Sequence, residues 1–538
     1  MTTASGFYSI VYPTPEQEAA QSRPDLRDVF HDLFLEAIFS ATYAGFAPRE
    51  KPSLYVIDHA DDEAPYRAEV LAVLQVLFGT PLHDLSLVQY RQAALRDLQQ
   101  APLLKGMRAF QRSMQDLRAA LRRDRQAGYA AEGQRWFVDA ALIYGHALEA
   151  LHLALVGAGL QSQAMQSLRD HVAALLASPA HIARMTEARS LIDAMAQIRY
   201  AVRIDGTTVT VLQDPQQPDY SATIAETFAR FRQGEVKDYR VQFTPASRLN
   251  HVEGQILDRV ALLHPEVFGR LAQFRREQEG FADARIERLD RELAWYLSWI
   301  EYTQRFERAG LPMCFPALTL EQGRIDAREA YDLALARQCL DAQKPVVCND
   351  MALLGEERMM VVTGPNHGGK TTLARTFGQL HHIASLGLTV AARSASLLLP
   401  DQMFTHFERV EEISNQRGKL QDDLVRMHRI LAAATPRSLV LMNEIFSSTT
   451  PGDALWLARR IMARLSAIGA ACVLVTFLDE LSTFDAHTVS MVGTVDAQDP
   501  TIRTFKVVRR AADGKSYALA LAKKFGVTRQ QLLERITA

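Results

Sequence analysis

The sequence holds only four cysteines, Cys314, Cys339, Cys348 and Cys472, and none stand in CxxC spacing. That excludes a zinc ribbon and a disulfide framework and fits a reduced compartment. An excess of either charge is also missing: 60 basic and 62 acidic side chains leave a net charge of −2. The molecule as a whole is therefore no polyanion binder, and any charged partner must meet a local patch. The opening MTTASGFYSIVYPTPEQEAA lacks a basic stretch followed by an apolar core. No uninterrupted apolar run approaches the roughly 18 residues that span a bilayer. These absences predict a soluble, unexported, cytoplasmic protein with no membrane partner. Fixed-period repeats and low-complexity tracts are absent as well.

What is present is an ordinary globular composition, 48% hydrophobic and 23% charged. A chain of 538 residues is expected to hold two to four domains. From about Asp25 to Gly310 glycine is scarce and apolar residues recur at helical spacing, as in YRQAALRDLQQAPLLKGMRAFQRSMQDLRAALRRDRQ. One interruption, IRYAVRIDGTTVTVLQD at 198–214, alternates β-branched residues around Asp205-Gly206 and is predicted to form a hairpin. The two prolines of LPMCFPALTL, 311–320, mark the candidate linker. The predicted domains are a helical N-terminal segment (1–80), a mainly α-helical core or lever domain (81–315) with the small β insertion near 198–214, and an α/β domain (316–538).

In that last part the pattern becomes strand, loop, helix. RMMVVT precedes a glycine-rich loop, and SLVLM and ACVLVT have the length and β-branched content of buried parallel strands. The loop Gly364-Pro365-Asn366-His367-Gly368-Gly369-Lys370-Thr371, followed by Thr372, satisfies G-x-x-x-x-G-K-[ST]. Glycines let backbone N–H groups wrap phosphates, and the helix N-terminus adds positive dipole. Lys370 reaches the terminal phosphates and Thr371 ligates magnesium. The implied cofactors are ATP and Mg2+. His367 occupies a variable position of the pattern and is read as a loop histidine. A second strand ends in Asn443-Glu444, where phosphoryl transfer on this scaffold uses an acidic residue to hold magnesium and a neighbouring carboxylate to orient water. Here Glu444 alone carries charge; Asn443 keeps an oxygen for a magnesium-bound water but loses the Coulomb attraction.

The order GPNHGGKT, FTHFERVEEISNQRGKLQDDL, LVLMNEIFSSTTPGDAL, VLVTFLDELS and GKSYALALA resembles the ATPase domain of the MutS family of DNA mismatch-repair proteins. The similarity covers roughly Leu333 to Ile536. It implies an α/β P-loop domain of ABC type at the C-terminus, preceded by the helical core and lever domain. It also implies a homodimer in which each nucleotide lies between the P-loop of one subunit and the signature loop of the other. By the same resemblance, Asn366, Gly369, Lys370 and Thr371 take the phosphate and magnesium positions and Glu444 the water-activating one. The signature loop maps onto Glu411-Glu412-Ile413 and Ser414 to Leu420, including Asn415, Arg417 and Gly418. Thr449 and Asp453 match the loop that contacts the partner subunit.

Three departures weaken the chemical step. Asn443 replaces the magnesium-associated aspartate, Gly418 stands at the signature serine, and Phe477 replaces the histidine that reads the γ-phosphate. Losing one such donor costs on the order of a hundredfold in rate, which predicts a weak ATPase that binds more than it turns over. Tyr90–Met114 resembles the start of the MutS core and Val252–Gly310 the return of its lever helices, with a reduced clamp at roughly Tyr200–Thr244. Phe34-Leu35-Glu36 has the letters of a mismatch wedge but lies in an apolar helical run, so Phe34 is expected to pack in the core and mismatch specificity is unsupported. Arg91 to Arg125 carries nine basic against three acidic residues, either a strip for DNA phosphates or a solvated helix face. No nuclease domain or dimerisation tail is expected after Ala538. Two functions stay open: an ATP-dependent DNA-binding protein of repair or recombination, or a nucleotide-gated scaffold for another protein. An ABC transporter motor is disfavoured by the long helical first half and the missing membrane segment.

Overall fold

The computed structural model describes residues 6–47, 63–213, 226–227, 249–408, 418–496, 498–499, 501–512 and 528. The chain folds as two units, Gln100–Leu160 with Met165–Asp290, and Met1–Gln99 with Gln161–Ala164 and Arg291–Ala538.

The first unit is built on helices Ala101–Gln126 and Ala130–Val156, which pack along one another. Helices Pro179–Ala196 and Pro265–Glu277 close on the second of them. Their apolar stripes supply a core of Phe137, Val138, Ala141, Ala188, Leu191, Leu271 and Phe274. Ala130–Val156 is long and apolar enough to cross a membrane by length and composition, but half of that stretch is buried inside the protein, as in a core helix. Strands β1 (Tyr200–Asp205) and β2 (Thr208–Gln213) form the expected hairpin. Asp205 pairs with Thr208, so the loop residues are Gly206 and Thr207, one position later than the sequence suggests. Gly206, at φ 59°, supplies the left-handed residue that a two-residue loop requires. The rest of the expected clamp, up to Thr244, lies outside the described residues apart from 226–227.

Ten described strands follow in the second unit. They are β3 (Ala317–Thr319), β4 (Arg324–Ala330), β5 (Asn349–Leu354), β6 (Met359–Thr363), β7 (Ser394–Leu398), β8 (Met403–Phe407), β9 (Leu439–Asn443), β10 (Ala471–Val475), β11 (Thr488–Val495) and β12 (Arg503–Arg509). One sheet runs β3-β7-β4-β5 and the other β12-β11-β6-β10-β9-β8. In the larger sheet only β12 is antiparallel to its neighbour. Every residue of β6, β9 and β10 is buried, which is why these runs read as unbroken apolar segments. Met359, Val361, Val440, Met442, Cys472 and Leu474 share one cluster with Met427, Ile461 and Leu465 from helices Lys419–Ala433 and Pro451–Ile468. From β6 the chain crosses to β8 at one edge, and from β10 it returns to β11 on the other side of β6. The carboxyl end of β6 is thus a topological switch point, where open α/β sheets hold ligands.

Helix Lys370–Ser385 is buried at every position from Thr376 to Ser385 because the first hundred residues cover it. A Cβ on Gly378 would lie 2.6 Å from methyls of both Leu33 and Leu441, so only glycine lets the N-terminal segment and β9 approach together. Gln379 Nε2 donates to Leu33 O at 2.9 Å, and Leu82 N donates to Ser385 O at 3.1 Å.

One expectation is corrected here, and the basic stretch is narrowed. Phe34 is not a core residue: it sits at φ 56° between helices Arg27–Asp32 and Leu35–Thr42 and is 44% exposed. The Arg375 guanidinium lies 4.2 Å from its ring centroid, so the apolar run is broken by a left-handed residue that turns the ring outward. The basic strip also thins. Arg91 is fully buried, with its guanidinium donating to Val11 O and Leu386 O, each at 3.3 Å. Arg118 is ion-paired with Asp290. Exposed on helix Ala101–Gln126 are Lys105, Arg108, Arg112, Arg123 and Arg125, of which Lys105, Arg108 and Arg112 share one helical face by their spacing.

Candidate functional site

After β6 the chain must reverse into a helix within six residues. Gly364, at φ 117°, makes this possible: a Cβ there would lie 2.9 Å from the backbone N and O of Gly493 on β11. Pro365 is buried, Asn366 and His367 are exposed, and His367 adopts φ 58°. Gly368 packs against Pro365, and Gly369, at φ 90°, caps the helix that begins with Lys370, Thr371 and Thr372. The unpaired N–H groups of that first turn, with the dipole behind them, make the loop a ready anion site. Arg503 of β12 holds the loop from outside, its Nε donating to Asn366 O at 3.1 Å.

Lys370 is 4% exposed and donates to Gly364 O at 3.0 Å and Pro365 O at 3.1 Å. Its ammonium lies 4.3 Å from the ring centroid of Phe477, in the loop after β10. Burial pulls its pKa below the usual lysine value, and the charge of Glu444 partly offsets this.

Thr371 and Asn443 are joined directly, the threonine hydroxyl donating to Asn443 Oδ1 at 2.8 Å. The next residue, Glu444, takes φ 54°, and its N–H donates to Val475 O at 2.9 Å, continuing the β9–β10 pairing past the strand end. Burial raises the Glu444 pKa; Lys370 pulls it down and Glu408 pushes it up. The residues at the carboxyl edge thus offer a lysine, two neutral oxygens and one carboxylate. Two hard neutral oxygens fit Mg2+, which keeps much of its shell as water and phosphate oxygen. Among the described residues no group of three or more His, Cys, Asp or Glu could hold a metal without a phosphate.

The remaining expected residues are spread over neighbouring loops. Gly418 caps helix Lys419–Ala433 at φ −67°, without a side chain to contribute. Thr449 donates its N–H to Phe446 O at 3.4 Å, and Asp453 lies in the first turn of helix Pro451–Ile468. Its carboxylate accepts from the Thr450 hydroxyl at 2.8 Å, while that hydroxyl accepts from Asp453 N at 3.2 Å. Asn415 and Arg417 lie outside the described residues, as does the closing segment GKSYALALA.

Three residues were not singled out from sequence. Arg503 approaches the loop from the antiparallel edge strand, more than a hundred residues downstream, and no local signal marks it. Asp479 raises the Lys370 pKa from two residues beyond Phe477. Glu408, just past β8, accepts from Lys419 Nζ and from Ser447 Oγ at 2.9 Å, tying the start of helix Lys419–Ala433 to the loop after Glu444. Lys419 holds the Glu408 carboxyl below the usual carboxylate range.

Residues 360–536 match the family described as MutS domain V. Endonuclease MutS2 of Thermus thermophilus is 30% identical over 246 residues, which cover 43% of this chain and 32% of that protein. Endonuclease MutS2 of Pediococcus pentosaceus is 30% identical over 216 residues, 39% of this chain and 27% of the relative. DNA mismatch repair protein MutS of Shouchella clausii is 31% identical over 187 residues, 34% and 21% of the two chains. The aligned part therefore spans a third or less of each curated relative. Residues 360–536 thus carry a MutS domain V, and the loop Gly364–Thr371 follows its first parallel strand.

Proposed function

We propose that the protein binds MgATP in the loop Gly364–Thr371, hydrolyses it slowly, and uses the nucleotide state to control DNA binding in repair or recombination. The observation that supports this best is the meeting of Lys370, the Thr371–Asn443 pair and Glu444 at one end of the sheet. Lys370 and the helix N-terminus would hold the β- and γ-phosphates. Thr371 and Asn443 would hold magnesium, which supplies charge neutralisation on the phosphates when bound. Glu444 would orient the attacking water, and the neutral Asn443 would leave that step slow.

The same reading makes the protein an ABC-type homodimer, with Gly418 facing the partner's nucleotide beside Asn415 and Arg417, Thr449 and Asp453 in the loop against the partner subunit, and Phe477 beside the chain's own Lys370. The 316–538 segment is taken as the ATPase domain, 81–315 as the lever domain and 1–80 as a helical cover, with a cytoplasmic location. DNA contact would fall to exposed basic residues such as Lys105, Arg108 and Arg112. The second reading, a nucleotide-gated protein scaffold that does not touch DNA, draws on the burial of Arg91 and the pairing of Arg118. Binding of linear and branched duplexes across a salt series, with and without MgATP, separates the two. A steep negative salt slope that changes with ATP supports the DNA reading, and no binding at about 50 mM salt removes it.

A further inference from the structure

We infer that the Phe477 ring competes with nucleotide for the Lys370 ammonium, so that Phe477 sets the ATP affinity of the site. This rests on the proposal that the loop binds ATP. An ammonium has three N–H donors. Two are answered by Gly364 O and Pro365 O at 3.0 and 3.1 Å, and the aromatic face lies 4.3 Å from the remaining positive charge, on which the more distant carboxylates of Glu444 and Asp479 also act. With the lysine only 4% exposed, its charge is satisfied with neither phosphate nor bulk water. A phosphate that claims Lys370 must first break this arrangement.

The two partners differ in how readily they move. Lys370 opens a helix that is buried along most of its length. Phe477 is 52% exposed, in a loop whose backbone is fixed by Thr476 N donating to Val362 O at 3.1 Å and Leu478 N donating to Thr476 Oγ1 at 3.1 Å. The ring can therefore leave by side-chain rotation while the backbone stays. A phenylalanine has no donor for a phosphate oxygen, and its negative face repels one. Its attraction is spent on the nucleotide-free state alone, and an interaction made only in that state weakens binding.

The test is equilibrium binding of MgATP to wild type, Phe477→Ala and Phe477→Leu, alongside the rate at which an amine-acylating reagent labels Lys370 without nucleotide. The ring is half exposed, so neither variant threatens the fold. Leucine keeps apolar bulk but has no π face. Both variants are expected to bind MgATP about twofold to thirtyfold more tightly, the span of cation–π energies from exposed to desolvated sites. Lys370 labelling should accelerate in both. Equal or weaker binding by Phe477→Ala, or wild-type affinity and labelling in Phe477→Leu, overturns the inference and leaves the ATP site standing. Failure of all three proteins to bind MgATP removes the ATP site itself.

Discussion

The Thr371 hydroxyl donates to the side-chain oxygen of Asn443 across 2.8 Å, linking the first turn of the loop helix to the end of β9. Both partners are neutral, so on the proposed reading the pair would offer magnesium oxygen ligands without a formal negative charge. Replacing Asn443 with aspartate restores a charge within the same hydrogen bond, and charge-assisted contacts are roughly twice as strong as neutral ones. Asn443→Asp is expected to lower the Mg2+ concentration needed for half-maximal turnover and to raise ATP hydrolysis about tenfold. Phosphate release measured over a Mg2+ series checks this; an unchanged or slower rate counts against the assigned role of Asn443.

On the proposed reading Glu444 orients the attacking water, and burial raises its pKa. A base works deprotonated, so activity is complete above its folded pKa and is lost as pH falls through it. The kcat/KM for ATP is therefore expected to decline on acidification at a higher pH than an unperturbed glutamate would give. Glu444→Gln should cut turnover about a hundredfold or more while MgATP affinity stays within about threefold. Loss of binding together with turnover would assign Glu444 to phosphate positioning or to the fold instead.

Asp332 is fully buried and accepts from the Arg375 guanidinium, from Gln379 Nε2 at 3.1 Å and from Leu335 N at 2.9 Å. Removing its charge leaves the largely covered Arg375 guanidinium without its buried carboxylate, and breaking such a pair costs about 3–5 kcal/mol. Asp332→Asn is expected to lower unfolding stability by that amount in urea titrations. A loss under about 1 kcal/mol would mean that water reaches Arg375 in solution.

His381 and His382 are buried on the loop helix, and desolvation lowers both pKa values to about 4. Their unfolded pKa is about 6.5, so between about pH 6.5 and 4 the unfolded chain binds more protons and stability falls on acidification. The slope is about 1.4 kcal/mol per pH unit for each histidine. His382→Gln keeps a donor for Phe78 O, which His382 meets at 3.1 Å, and should flatten the loss by the share of one group. Urea curves at pH 7, 6 and 5 decide this; parallel slopes for variant and wild type contradict it.

The loop was legible because its requirements are local: Gly364 must fit against β11, and Lys370 and Thr371 must open a helix. The buried strands were legible because β6, β9 and β10 are apolar on both faces. Helical spacing in the first hundred residues showed that some face is buried but not against what, so the packing of Leu33 on Gly378 could not be read. Phe34 misled for a related reason. A helical period does not reveal one left-handed residue that ends a helix and swings a ring outward. Arg503 and Glu408 reach the site through the strand order of the sheet, a long-range property that no local pattern contains.

The most direct measurement is calorimetric titration of MgATP into the wild-type protein and Lys370→Ala. Saturable binding at one site per chain, weakened at least about a hundredfold in the variant, is the expected result. No saturable binding by the wild type, or equal affinity in the two proteins, would contradict a nucleotide site around Lys370.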